Sequence, residues 1–150
     1  VALLERKGFS SDEFHLLHPG GKLGRRLIKV FDIMHSGDKM PLAGPDVLMS
    51  DALIEMSAKS FGCIGIIGPE DKLQGVITDG DLRRHMDSEL ICKRTGEVMT
   101  KDVATIKPDI LASVALGIMN VQGITNIFVT KENCPVGILH VHDCLRAGVA

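Results

Sequence analysis

The chain has 150 residues, 45% hydrophobic and 24% charged, which is enough apolar content to bury a core. Its formal net charge is −2, its acids and bases are interspersed, and it has no Trp, no Tyr and only 5 Phe. It therefore lacks both the electropositive surface and the stacking platforms that nucleic acid needs.

No apolar run approaches the roughly 18 residues needed to cross a bilayer, and no signal-peptide pattern opens the chain, so neither membrane insertion nor export is expected. Cys63, Cys92, Cys134 and Cys144 show no C-x-x-C spacing. That points to reduced thiols in a cytoplasm and to no structural zinc.

The chain starts at Val1 inside what reads as the tail of a helix, Ala2 to Lys7, as a fragment of a longer protein would. Ser10 to Glu13 supply N-caps for a short helix, Asp12 to Leu17, that Pro19-Gly20-Gly21 stops. Leu23, Leu27 and Val30 then recur at helical spacing beside Lys22, Arg25, Arg26 and Lys29, which predicts a solvated linker helix.

From residue 31 the pattern is strand, helix, strand, strand, helix. An extended piece near Met40 to Leu42 precedes a helix capped by Ser50, with Ala52, Leu53 and Met56 on its apolar stripe. Cys63 to Ile67 and Leu73 to Thr78 flank the turn signal Gly68-Pro69-Glu70-Asp71 and form a hairpin. Asp79 to Met86 closes the unit as a helix, and Asp87 to Arg94 reads as polar and irregular. The same plan follows with Val103 to Ile106, a helix over Leu111 to Val121, strands at Asn126 to Thr130 and Val136 to His140, and a helix from His142 to Ala147.

These halves are diverged copies. Pro45-Asp46-Val47-Leu48 through Met56 returns as Pro108-Asp109-Ile110-Leu111 through Met119, an offset of 63 (108 − 45). Gly75-Val76-Ile77-Thr78-x-x-Asp81 returns as Gly137-Ile138-Leu139-His140-x-x-Asp143, an offset of 62 (143 − 81). A unit of about 60 residues buries only about 60% of its unfolded surface, so two such units are expected to fold as one inseparable pair. Residues 1–30 are then a tail and linker, 31–88 the first domain and 89–150 the second. Met34, Met56, Met99, Met119 and Ile77 are assigned to the core.

Thr78-x-x-Asp81 has two readings. As chemistry, Asp81 at a helix start beside strand ends can accept both hydroxyl hydrogens of a ribose, with Thr78 adding a contact. As structure, the same spacing is a capping box. In the second copy His140 makes a poor cap, so retention of Asp143 tilts the balance toward a ligand. Arg83 and Arg84 suit a phosphate or carboxylate. His140 and His142 could face one ion from alternating strand positions, but a helix near His142 breaks the alternation and only Asp143 lies near as a third ligand. No metal and no cofactor are expected.

The duplicated βαββα plan with G-h-h-T-x-x-D after the third strand resembles the tandem CBS domain pair, or Bateman module. The segments His18-Pro19-Gly20-Gly21-Lys22-Leu23-Gly24-Arg25-Arg26, Asp32-Ile33-Met34-His35-Ser36-Gly37-Asp38, Thr78 to Arg84 and Leu139 to Gly148 are similar to the C-terminal part of bacterial arabinose 5-phosphate isomerases.

The resemblance implies an α/β (α+β) fold with two βαββα units packed with pseudo-two-fold symmetry. It also implies a cytoplasmic, homotetrameric parent that interconverts ribulose 5-phosphate and arabinose 5-phosphate on the route to Kdo and lipopolysaccharide. His18 would be a catalytic histidine of that parent only, because the sugar isomerase domain is missing here and this chain alone should not turn over. The expected role is regulatory, through a nucleotide or nucleotide-sugar effector such as CMP-Kdo bound by Thr78, Asp81, Arg83, Arg84, His140, His142 and Asp143. The competing class is a ligand-free module that dimerises to organise the parent.

Overall fold

The computed structural model describes residues 22–149. After a short helix α1 (Lys22–Arg26) and a one-turn helix α2 (Val30–Ile33), the first copy runs β1 (Leu42–Ala43), α3 (Met49–Lys59), β2 (Cys63–Ile67), β3 (Leu73–Thr78) and α4 (Asp79–Arg84). A one-turn helix α5 (Thr95–Val98) leads into the second copy: β4 (Thr105–Ile106), α6 (Ala112–Gln122), β5 (Asn126–Lys131), β6 (Cys134–His140) and α7 (Val141–Arg146). The strands and helices predicted for the two copies are present, with ends moved by one to a few residues, while the predicted helices Ala2 to Lys7 and Asp12 to Leu17 lie outside the described residues.

Each copy forms a three-stranded sheet, ordered β1-β2-β3 and β4-β5-β6. In each, the first strand runs parallel to the second and the third antiparallel. Even the register shifts repeat, between Ile66 and Ile67 and between Val129 and Thr130. The left-handed helix ends repeat as well, Ser60 at φ 63° and Gly123 at φ 67°.

Three local expectations need correction. Ser50 lies inside α3, whose N-cap is Leu48 without any side-chain cap. The first free amide of that helix, Met49 N–H, is satisfied instead by the Lys93 carbonyl at 2.8 Å, so no hydroxyl is required. The linker is not one continuous helix: Lys29 is extended and bridges Leu111, so Ile28 and Val30 turn into the core while Leu27 stays 43% exposed. Within 87–94, Leu90–Cys92 forms a 3-10 turn that buries Leu90 against α3, an anchor masked by its polar flanks.

The leaders of the two copies are exchanged. Ile28 and Val30 join the core of the second copy with Ile106, Leu116, Met119 and Leu139. Leu90 and Val98 join that of the first with Met49, Met56, Ile64 and Ile77. The backbone bonds match pairwise: Val30 N–H to Ile110 O and Phe31 N–H to Pro108 O are mirrored by Thr95 N–H to Val47 O and Gly96 N–H to Pro45 O, all 2.9 Å.

A third cluster joins the two sheets through Cys63, Leu73, Phe128 and Ile138. Here the repeat breaks its symmetry in volume. Gly65 and Phe128 hold equivalent positions (128 − 65 = 63), and the Phe128 ring fills the space above Gly65, where an added methyl would meet its Cζ at 2.8 Å. The hairpin turn of the second copy, with Glu132 and Asn133 both at positive φ, reaches the first copy through the Asn133 carbonyl, which accepts from Leu73 N–H at 2.9 Å.

Gly65→Ala is expected to cost about 1–3 kcal/mol by overpacking. Adding Phe128→Leu should recover part of that loss, because leucine lacks the distal ring atom the new methyl meets. Urea denaturation of the single and double variants measures both effects.

Candidate ligand-binding cleft between the copies

An open cleft of about 520 Å³ lies where the end of β3 and the start of α4 face the segment between α6 and β5. Thr78, Asp81, Arg83 and Arg84 line it from the first copy, and Gln122 to Phe128 from the second. Phe61, Val103 and Ile124 supply apolar wall, and Thr100 and Asp102 come from the leader of the second copy. Four of the residues singled out from sequence are thus brought together. His140, His142 and Asp143 are placed elsewhere, at the equivalent start of α7.

Asp81 is 3% exposed, and its carboxylate is fully engaged. Oδ2 accepts from the Thr78 amide at 2.9 Å and the Thr78 hydroxyl at 3.1 Å. Oδ1 accepts from Thr100 Oγ1 at 2.7 Å and from Arg84 at 2.6 Å. The Asp81 amide donates back to Thr78 Oγ1, completing the capping box. Burial alone would raise the Asp81 carboxyl, but donation from Thr100, the Thr78 amide, Arg84 and the Thr78 hydroxyl outweighs it and holds the group below the usual carboxylate range. The Arg84 side chain is 67% exposed, which makes it the donor most readily replaced by another.

Asp143 repeats this arrangement with different partners. Oδ2 accepts from the His140 amide at 2.8 Å, while Oδ1 meets Arg146 at 2.6 Å and His35 Nε2 at 2.8 Å. Burial again pushes the carboxyl up, and the His35, His140 and Arg146 bonds more than offset it, so Asp143 too sits low. The expectation that His140 caps poorly is overturned. Its Nδ1 accepts from His142 N–H at 3.0 Å, so an imidazole does here what a hydroxyl does in the first copy. The second Asp therefore has a structural role, and its retention no longer argues for a ligand.

The two imidazoles stack tilted at 4.6 Å between centroids, and His140 Nδ1 is already taken by a backbone amide. Burial, and then the nearby His142, push the His140 pKa down. Among the described residues no group of three or more His, Cys, Asp or Glu could hold a metal ion. Burial, reinforced by Asp79, drives Cys63 up to about 12, which leaves that thiol protonated and unreactive. His18 lies outside the described residues.

Two contributors went unrecognised in the sequence, His35 and Thr100. Met34-His35 and Met99-Thr100 are equivalent at an offset of 65 (100 − 35), and each pair bridges the third strand of the other unit's sheet: His35 to Ile138, Thr100 to Val76. The matching runs Val30-Phe31-Asp32-Ile33-Met34 and Thr95-Gly96-Glu97-Val98-Met99 carried that signal.

Asp81, Asp143 and His140 act in the same direction with pH. Asp81 and Asp143 titrate below their unfolded value of about 3.9, so their contribution is complete above that pH and is lost as pH falls through the folded values. His140 titrates below its unfolded value of about 6.5, so its contribution is complete above about 6.5 and is lost as pH falls through its own folded value. Thermal melts are expected to show a midpoint that declines slightly below pH 6.5 and steeply below pH 4, and Asp143→Asn should flatten the lower limb.

The CBS domain family matches this chain twice, over residues 30–88 and 96–150. The chain is 42% identical over 152 residues to the arabinose 5-phosphate isomerase KdsD of Yersinia pestis, a match that covers 99% of this chain and 46% of that protein. It thus spans about half the length of the curated relatives it matches. CBSX2, solved in complex with AMP, superposes with TM-score 0.70 at 21% identity over 81% of this chain and 96% of that one. The CBS domain pair of protein MJ0100, in complex with 5′-methylthioadenosine and S-adenosyl-L-methionine, gives TM-score 0.70 at 22% identity over 80% and 94%. At such identities the structural likeness shows the fold alone. With one family match on each repeat and two sheets of the same order closing on a shared cleft, the chain belongs to the CBS domain family, as a tandem pair.

Proposed function

We propose that this chain is the regulatory CBS pair of an arabinose 5-phosphate isomerase and that a nucleotide-type effector enters the cleft at Asp81. The observation that carries this reading is a buried, ionised carboxylate at the cleft with one donor, Arg84, that is largely in solvent. Ribose hydroxyls can take over the contacts that Arg84 and Thr100 make to Oδ1. The released Arg84 guanidinium, with Arg83, then meets a phosphate or carboxylate of the same ligand. An apolar wall of Val103 and Ile124 suits a base, and CMP-Kdo carries base, ribose, phosphate and acid together.

The parent would hold the isomerase active site, with His18 entering it, and would interconvert ribulose 5-phosphate and arabinose 5-phosphate in the cytoplasm as a homotetramer. The likeness to isomerases at 42% identity supports that assignment. Effector binding would pass through Thr100 and the exchanged leaders, whose α2 is tied into the second core and continues back toward α1. A coupling of about 1–3 kcal/mol is sufficient for feedback.

Calorimetry with AMP, ATP, CMP and CMP-Kdo tests the reading. Binding of at least one is expected, weakened about tenfold or more by Asp81→Asn. Absence of heat with all four, at concentrations that detect millimolar affinity, would remove it.

A scaffold role has its own support. Ile54 on α3 is 70% exposed and Val121 on α6 is 89% exposed. Such apolar positions on the long helices suit self-association of CBS pairs within the parent. If they make that contact, Ile54→Asp with Val121→Asp should lower the mass measured by light scattering, whereas Asp81→Asn should leave it unchanged.

A further inference from the structure

We propose that this pair is a single-site receptor, because three of the chain's own imidazoles take the second site around Asp143, with His35 as the latch. The inference rests on reading the Asp81 cleft as a nucleotide site.

The repeat allows each wall of the open cleft to be matched with its counterpart. Thr78, Gly80, Thr100 and Ile124 all line the open cleft. Their equivalents are His140 (140 − 78 = 62), His142 (142 − 80 = 62), His35 (100 − 35 = 65) and Phe61 (124 − 61 = 63). Two threonines and a glycine on the Asp81 side are thus three imidazoles on the Asp143 side, while Ile124 and Phe61 both line the open cleft. The rings lie in two pairs: His35 meets Phe61 edge-on at 5.2 Å between centroids, and His140 lies 4.6 Å from His142, which is exposed.

Hydrogen bonding closes the same site chemically. On Asp81 the leader contributes a small hydroxyl, Thr100, which leaves space beside it. On Asp143 the leader contributes the whole His35 ring through Nε2 at 2.8 Å, placed where a ribose hydroxyl would have to come. His35 is held there by its backbone, which exchanges bonds with Ile138 in both directions at 2.9 and 2.8 Å, and by Met34 packed over Gly137. Arg146 is as exposed as its counterpart Arg84, so the outer donor is equally free to leave in both clefts. The inner partner is what differs.

The substitutions that convert the closed cleft into a copy of the open one follow directly: His35→Thr alone, and His35→Thr with His140→Thr and His142→Gly. His140→Thr restores a hydroxyl cap, so the start of α7 keeps its capping box. AMP, ATP, CMP and CMP-Kdo serve as probes in calorimetric titrations, with circular dichroism melts to establish that each variant folds. The wild-type chain should take one equivalent. The triple variant should take two and return to one when Asp143→Asn is added.

Two equivalents on the wild type, or one on both the wild type and a folded triple variant, would overturn the closure while leaving the Asp81 site standing. Heat seen only with the triple variant keeps the closure and removes the Asp81 reading. Silence from every protein with all four ligands removes both.

Discussion

Each half of this molecule is completed by the segment that precedes the other half, and that exchange is the constraint from which the rest follows. The leader ahead of the first sheet places Ile28 and Val30 in the second core, and the leader ahead of the second sheet places Leu90 and Val98 in the first. Neither unit has a closed core without the residues its neighbour lends. The same leaders satisfy the opening amides of α3 and α6, through the Lys93 and Ile28 carbonyls, so both long helices begin on leucine rather than on a capping side chain. Fold, helix ends and cleft geometry are therefore one cooperative arrangement.

The exchange also explains how two aspartates can be buried and ionised. A carboxylate removed from water needs compensating donors. The helix start contributes an amide and an exposed arginine, and the incoming leader contributes the remaining donor, Thr100 for Asp81 and His35 for Asp143. Because the last donor comes from a different segment, it can differ between the copies while the capping aspartate is the same. Duplication produced two equivalent carboxylates, and the leaders made them unequal. The sheets diverged in the same complementary manner, with Phe128 occupying the volume that Gly65 leaves.

Most of the fold was legible in the residues because two periodicities dominate it. Alternating or continuous β-branched runs marked β2, β3, β5 and β6, and the apolar stripes marked α3 and α6. What escaped notice were elements whose order comes from distant partners: the one-turn helices α2 and α5, too short for a periodic signal, and Leu90, an apolar anchor in a polar stretch. Within the candidate site, Thr78, Asp81, Arg83 and Arg84 carried a local signature and are found on one cleft. Thr100 and His35 were marked only by the matching runs that precede them, since they act on carboxylates 19 and 108 residues away respectively.

From the amino-acid order alone come the duplication, the strand and helix types and the position of the capping aspartates, because these depend on contacts within a few residues or on pattern repeated along the chain. Only the tertiary structure decided that the two carboxylates are not alike. That difference rests on which side chain a leader delivers from ahead of the other unit's sheet, a hydroxyl to Asp81 and an imidazole to Asp143.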